Sequence, residues 1–185
     1  MKQASNTVAD WLDKRARLTP GHVALIDYAD KSETTYADWN ARANRTANYL
    51  SSLGIGKGDR VAVYASNCTE YLDLFWAASK IGAILQNLNW RLTVHELQGI
   101  VTTGAPKVLI YSEDWASEVD ELKPSLGTVD HIVAFTDARA GEREFAERES
   151  QSAILENRPA LTLDDPWGIY YTGGTTGLPK GAVLT

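Results

Sequence analysis

Cysteine is nearly absent from this chain of 185 residues: Cys68 stands alone. No intrachain disulfide can form and no cysteine zinc cluster is available, which points to a reducing compartment, the cytoplasm being the simplest. Histidine is scarce, and His22, His95 and His131 are scattered without metal-ligand spacing. No apolar run approaches the ~18 residues that suggest a membrane span. The opening "MKQASNTVADWLDKRAR" lacks the apolar core of a secretory signal. Positive charge is in deficit, with 18 basic against 24 acidic side chains and a net charge of −6. That disfavours nucleic acid or an anionic membrane as a partner, while leaving room for a local basic pocket. Repeats and low-complexity tracts are missing too.

What is present is a chain long enough for one domain with a buried core. Its pattern is an alternation of short apolar runs with helix-like stretches. "SNTVADWLDKRARL" reads as a helix with Val8, Trp11, Leu12 and Leu18 near one face, stopped by Thr19-Pro20-Gly21. "HVALID" and "TTY" read as short strands around a turn. In "YADWNARANRTANYLSSLG", Trp39, Ala43, Ala47 and Leu50 recur at helical spacing and Gly54 supplies the stop. "RVAVYAS" is a buried strand. Asn67 and Glu70 are the expected capping pair of the helix "TEYLDLFWAASKIG". Strand "AILQNL" precedes helix "TVHELQGIVTTG", with Thr93 and Glu96 as a capping box and Gly104 as C-cap.

"PKVLIYS", "WASEVDELK" and "HIVAFTD" continue as strand, helix and strand. Strands alternating with helices of ~10–15 residues predict an α/β fold, a mainly parallel sheet flanked by helices. The charged segment near 137–160 is expected to be a surface helix with a solvated face, plus a connector to the strand "WGIYYT". Trp39, Trp76 and Trp90 suit packing better than base stacking. Cys68, at a predicted helix start, has two readings: a thiol of lowered pKa, or a buried structural one. Arg91 in "NWRL" also has two, a phosphate contact or a structural ion pair.

The chemistry concentrates in "IYYTGGTTGLPKGAVLT", residues 169–185. Glycines let backbone N–H groups approach a ligand with no Cβ in the way, and successive N–H groups can form an anion-binding nest. Thr172, Thr175 and Thr176 add hydroxyls, and Lys180 adds a compact positive charge suited to phosphate. The Walker A pattern fails, because its second glycine would fall at Leu178 or Pro179. The dinucleotide fingerprint fails as well. "GAVLT" after Lys180 favours a strand, so the loop is expected to join strand to strand.

"YYTGGTTGLPKGAVLT" resembles the phosphate-binding signature of the AMP-forming acyl-CoA synthetase superfamily, Tyr-Thr-Ser-Gly-Thr-Thr-Gly-x-Pro-Lys-Gly, with Gly173 in place of its serine. "LNWRLTVHEL", "GDRVAVYASNCTEYLDLFWAASKIGAI" and "TTYADWNARANRTANYLSSLGIGKGD" are similar to earlier stretches of that family; the 137–160 segment is not. The resemblance implies an enzyme using ATP, Mg2+ and CoA: a carboxylate attacks the α-phosphate, and a thiol then displaces AMP. It implies that Gly174, Thr175, Thr176, Gly177 and Lys180 cradle the β- and γ-phosphates. Gly173 retains its backbone donor, and Thr172 matches the threonine that meets magnesium in some relatives.

Members of that family are much longer, and their acyl pocket and catalytic C-terminal lysine lie beyond this motif. The chain is therefore expected to be an N-terminal fragment, inactive alone, with residues 1–165 an α/β subdomain and 166–185 the strand–loop–strand that begins the next part. Open sheet edges would favour association, a homodimer included. Three functions stay open: an acid–CoA ligase in fatty acid metabolism or acting on an aryl acid, an adenylating enzyme that loads a carrier protein, and a non-catalytic nucleotide-binding or interaction module.

Overall fold

The computed structural model describes residues 7–28, 30–172 and 179–185. A short 3-10 turn, Val8–Asp10, leads into α1 (Trp11–Leu18). The antiparallel pair β1 (Val23–Ile26) and β2 (Glu33–Thr35) follows as a separate two-stranded sheet. Then come α2 (Tyr36–Ser52), β3 (Arg60–Tyr64), α3 (Thr69–Ile81), β4 (Ile84–Leu88), α4 (Val94–Gly104) and β5 (Val108–Tyr111). The order continues with α5 (Ala116–Leu122), β6 (His131–Ala134), β7 (Arg143–Glu144), a 3-10 helix at Phe145–Ser150, β8 (Gly168–Thr172) and β9 (Lys180–Leu184).

The main sheet has seven strands in the order β7-β6-β5-β3-β4-β8-β9, parallel except for β9, which runs antiparallel to β8. This is the α/β layer that the alternating pattern predicts. The period of two along β3 sorts its side chains: Val61 and Val63 pack with α2 and α3, while Ala62 and Tyr64 pack with α4 and α5. Connections stepping toward β4 and β8 pass over the α2–α3 face. Those from β4 to β5 and from β5 to β6 pass over the α4–α5 face, as right-handed crossovers require.

Local signals act largely as expected. Trp39, Ala43, Ala47 and Leu50 are all buried along α2, and the Thr93–Glu96 capping box forms in both directions. Gly82 ends α3 in the left-handed region, at φ 71°. Four expectations are corrected. On α1 only Leu12 turns fully inward, against Trp39 and Ala43; Trp11 and Leu18 are exposed, because at seven residues apart they share a helix face about 100° away from Leu12. The N-cap of α3 is Cys68 without a side-chain bond, and Glu70 accepts instead from the Thr69 hydroxyl at 3.1 Å.

Gly104 is the last residue of α4, and Ala105 takes the left-handed cap at φ 46°. The charged segment is also more than a solvated face. Arg148 is buried and donates to Asp73 at 2.7 Å, and Phe145 enters the core. The connector beyond is stitched to α2: Asn44 donates to the Ala153 carbonyl, and Asn48 to those of Ser152 and Ile154. Those bonds carry the chain back across the α2–α3 face to β8.

Candidate functional site

β8 lies beside β4 in parallel, with Gln86 opposite Ile169 and Asn87 opposite Tyr170. Its carboxyl end therefore emerges on the edge where β3, β4 and β5 also end, the side on which open parallel sheets bind ligands. β9 returns antiparallel, pairing Lys180 with Thr172. The Thr172 hydroxyl donates to the Lys180 carbonyl at 3.4 Å. Strand thus leads to strand, whereas a Walker loop opens a helix. Gly173, Gly174, Thr175, Thr176 and Gly177 lie outside the described residues. The two described residues of the motif that carry its polar chemistry, Thr172 and Lys180, are both exposed at the mouth of the hairpin.

Two adjacent polar side chains of β4 grip β8 from opposite faces. On the α4 face, the Gln86 amide donates to the Tyr171 hydroxyl at 2.9 Å. On the α3 face, Asn87 donates to the Ile169 carbonyl at 3.1 Å and accepts from the Tyr71 hydroxyl at 2.5 Å. Burial holds the phenols of Tyr71, Tyr170 and Tyr171 above their ordinary pKa, with the Asn87 and Gln86 amides pulling Tyr170 and Tyr171 partly back. All three are neutral hydrogen-bonding groups near pH 7. The polar pair inside "AILQNL" is the sequence signal that could have found this grip: two amides at the centre of an otherwise apolar strand need partners.

Next to the hairpin, the loop after β4 carries Trp90, stacked on Trp115 with ring centroids 5.5 Å apart. The Arg91 guanidinium sits 3.9 Å from the centroid of Trp90, a cation–π contact that neither of its two sequence readings named. Trp39 and Trp76 meet edge to face at 5.9 Å, as packing residues. No group of three or more His, Cys, Asp or Glu side chains is placed to hold a metal among the described residues. No helix among them is long and apolar enough to cross a membrane.

Of the two readings of Cys68, the lowered pKa is overturned. Burial, with a smaller push from the adjacent Glu70, raises the thiol to about 11, outweighing the Tyr71 backbone N–H that lowers it at the head of α3. At pH 8 it should hold about two orders of magnitude less thiolate than a free cysteine of pKa about 8.5. Alkylation by iodoacetamide is expected to be slower in proportion, and to accelerate up to pH 10. A rate at pH 8 within threefold of free cysteine would contradict this.

A family model described as AMP-binding enzyme matches residues 12–185. The chain belongs to the AMP-binding enzyme family. It is similar to the long-chain-fatty-acid–CoA ligase FadD13 of Mycobacterium tuberculosis (strain ATCC 25618 / H37Rv), 37% identical over 177 residues, covering 94% of this chain and 34% of that protein. It is 38% identical over 156 residues to a crotonobetaine/carnitine–CoA ligase of Salmonella paratyphi B, covering 82% of this chain and 30% of that one. The solved structure of the anthranilate CoA ligase AuaEII in complex with anthranoyl-AMP superposes with a TM-score of 0.90 at 25% identity, covering 97% of this chain and 34% of that one. The chain spans about a third of the length of the curated relatives it matches.

Proposed function

We propose that residues 1–185 are the N-terminal part of an AMP-forming acid–CoA ligase. The observation that carries this reading is the β8–β9 hairpin, which sets Thr172 and Lys180 side by side at the carboxyl edge of a parallel sheet in a chain of the AMP-binding family. In the proposed reaction a carboxylate oxygen bonds to the α-phosphorus of ATP, and the bond from that phosphorus to the bridging oxygen breaks to release pyrophosphate. The CoA thiol then attacks the acyl carbon and AMP leaves. Fatty and aryl acids are the proposed substrate classes, in keeping with relatives named for long-chain fatty acids and anthranilate.

Within the loop, Gly173, Gly174, Thr175, Thr176 and Gly177 offer backbone and hydroxyl donors to the β- and γ-phosphates, and Lys180 offers charge. The first step asks the protein for positioning and charge stabilisation more than for covalent chemistry. Magnesium in nucleotide sites is held by one or two protein groups plus the substrate's phosphates. The exposed Thr172 hydroxyl suits that modest share, and the ion would neutralise charge on the phosphates. Residues 166–185, although they extend the same sheet, open the next part of the adenylation domain on this reading. A cytoplasmic setting and pairing of two copies along the open β9 edge belong to the same proposal.

The test is carboxylate-dependent ATP–pyrophosphate exchange by the enzyme carrying this chain, across fatty, aryl and amino acids. Exchange with one acid class, followed by CoA-dependent AMP release, is the expected result. Exchange without CoA dependence would move the acyl acceptor to a carrier protein. Silence with every acid, in an assay that works on a reference ligase, would favour the non-catalytic module.

A further inference from the structure

We propose that Gln86 is a positioning residue for the adenylation step: through the Tyr171 hydroxyl it fixes the end of β8, and so the line along which Thr172 and Lys180 leave the sheet. The inference rests on the reading of 172–180 as the phosphate loop.

Gln86 sits in the middle of β4 and is fully buried. A buried amide is costly unless bonded, and here the bonding is lopsided. Its nitrogen donates to the Tyr171 hydroxyl at 2.9 Å and to the Ile100 carbonyl of α4 at 3.3 Å. Its oxygen is buried with no hydrogen-bond partner. A methionine would fill similar space without that uncompensated oxygen. The amide is thus a poor choice for stability, and its useful product is the direction in which it holds Tyr171.

The register makes that hold possible. Gln86 pairs with Ile169 across the parallel strands, so Tyr171 is its diagonal neighbour on the same face, within reach of a long side chain. One residue further along, Thr172 faces Lys180.

The end of α4 is shaped around the amide. A Cβ on Gly104 would come within 2.2 Å of the Gln86 nitrogen and 2.8 Å of its amide carbon, so any larger residue must drive the side chain away. Arg60 pins this helix end by donating to the Gly104 carbonyl at 2.9 Å and the Ala105 carbonyl at 2.7 Å. Ala105, held in the left-handed region at φ 46°, turns the chain away immediately afterwards. A bare glycine, a pinned carbonyl and a left-handed alanine together leave room for one amide aimed at one hydroxyl.

The experiment compares Tyr171→Phe, Gln86→Met, their double variant and Gly104→Ala in the enzyme carrying this chain. Its readouts are ATP–pyrophosphate exchange, with kcat and KM for ATP and for the acid measured separately, and thermal unfolding. Misplacing the loop ends should lower kcat/KM for ATP about tenfold, mainly in kcat, and leave the acid KM unchanged. The double variant should lose no more than either single one, and Gly104→Ala should reproduce the loss by displacing the amide sterically. Gln86→Met should melt at or above the parent temperature, which a purely structural role for the amide would not produce. ATP kinetics within twofold of the parent in all variants, or losses that track the melting temperature, would overturn the inference while leaving the ligase reading intact. A parent silent toward every acid would overturn both.

Discussion

Lys180→Ala is expected to lower ATP–pyrophosphate exchange by about a hundredfold or more while leaving the fold untouched. The size follows from what removal of one preorganised charge contact costs a transition state, on the order of 10²–10³ in rate. The indifference of the fold follows from position. Lys180 is exposed at the first residue of an edge strand, and its ladder partner Thr172 uses the Lys180 carbonyl, which alanine retains. Exposed substitutions away from packing or buried polar contacts stay within about 0.5 kcal/mol.

Lys180→Arg should recover part of the rate, since charge is kept while a compact ammonium is exchanged for a planar fork. The measurement is kcat/KM for ATP alongside a urea unfolding midpoint for each variant. Exchange within fivefold of the parent in Lys180→Ala would remove this residue from the proposed phosphate contacts, whatever the acid.

How much of this was legible beforehand depends on the range of the interactions. The α/β order, the helix spacing in α2 and the Thr93–Glu96 box are set by residues close in sequence, and they could be read there. The strand-to-strand character of the terminal loop was legible for the same reason, since "GAVLT" has a local preference. What the sequence hid are pairings fixed by topology. Nothing near Gln86 in the chain says that Tyr171 will lie diagonally across from it, because that depends on the connector crossing the α2–α3 face so that β8 docks beside β4. Cys68 misled one of its readings because a helix start suggests a lowered thiol pKa, whereas burial, a tertiary property, dominates. Arg148 was hidden in a run of exposed charges, with nothing local to distinguish it from Arg143 or Glu147.

Asp73→Ala should destabilise the chain by about 3–5 kcal/mol, the cost of breaking a buried ion pair by removing one partner. At about 2–4 °C per kcal/mol for a domain of this size, the melting temperature should fall by roughly 10 °C. Asp73 is fully buried on α3 and holds two guanidiniums. Arg42 of α2 clasps both of its oxygens, at 2.9 and 3.0 Å, and Arg148 reaches one of them at 2.7 Å while also donating to the Thr46 hydroxyl at 3.1 Å. Removing the carboxylate leaves two cations facing one another, with Arg148 nearly out of water's reach and, among the described residues, only the exposed Glu149, at 3.2 Å, as a counter-charge.

The cluster is not thereby a net source of stability. Replacing Arg42, Asp73 and Arg148 together by leucine or methionine should recover most of the loss, since apolar packing often equals or exceeds a buried ion pair. That non-additivity distinguishes a buried, interdependent cluster from three separate surface charges. A fall under about 2 °C in Asp73→Ala would mean that water reaches the arginines once the carboxylate is gone. The consequence extends to the candidate site. Arg148 anchors the 3-10 helix from which the connector returns to β8, so loosening this cluster frees the segment that delivers the hairpin to the sheet edge. Asp73→Ala should therefore expose the 151–167 connector to proteolysis before the β3–β4–β5 centre of the sheet unfolds.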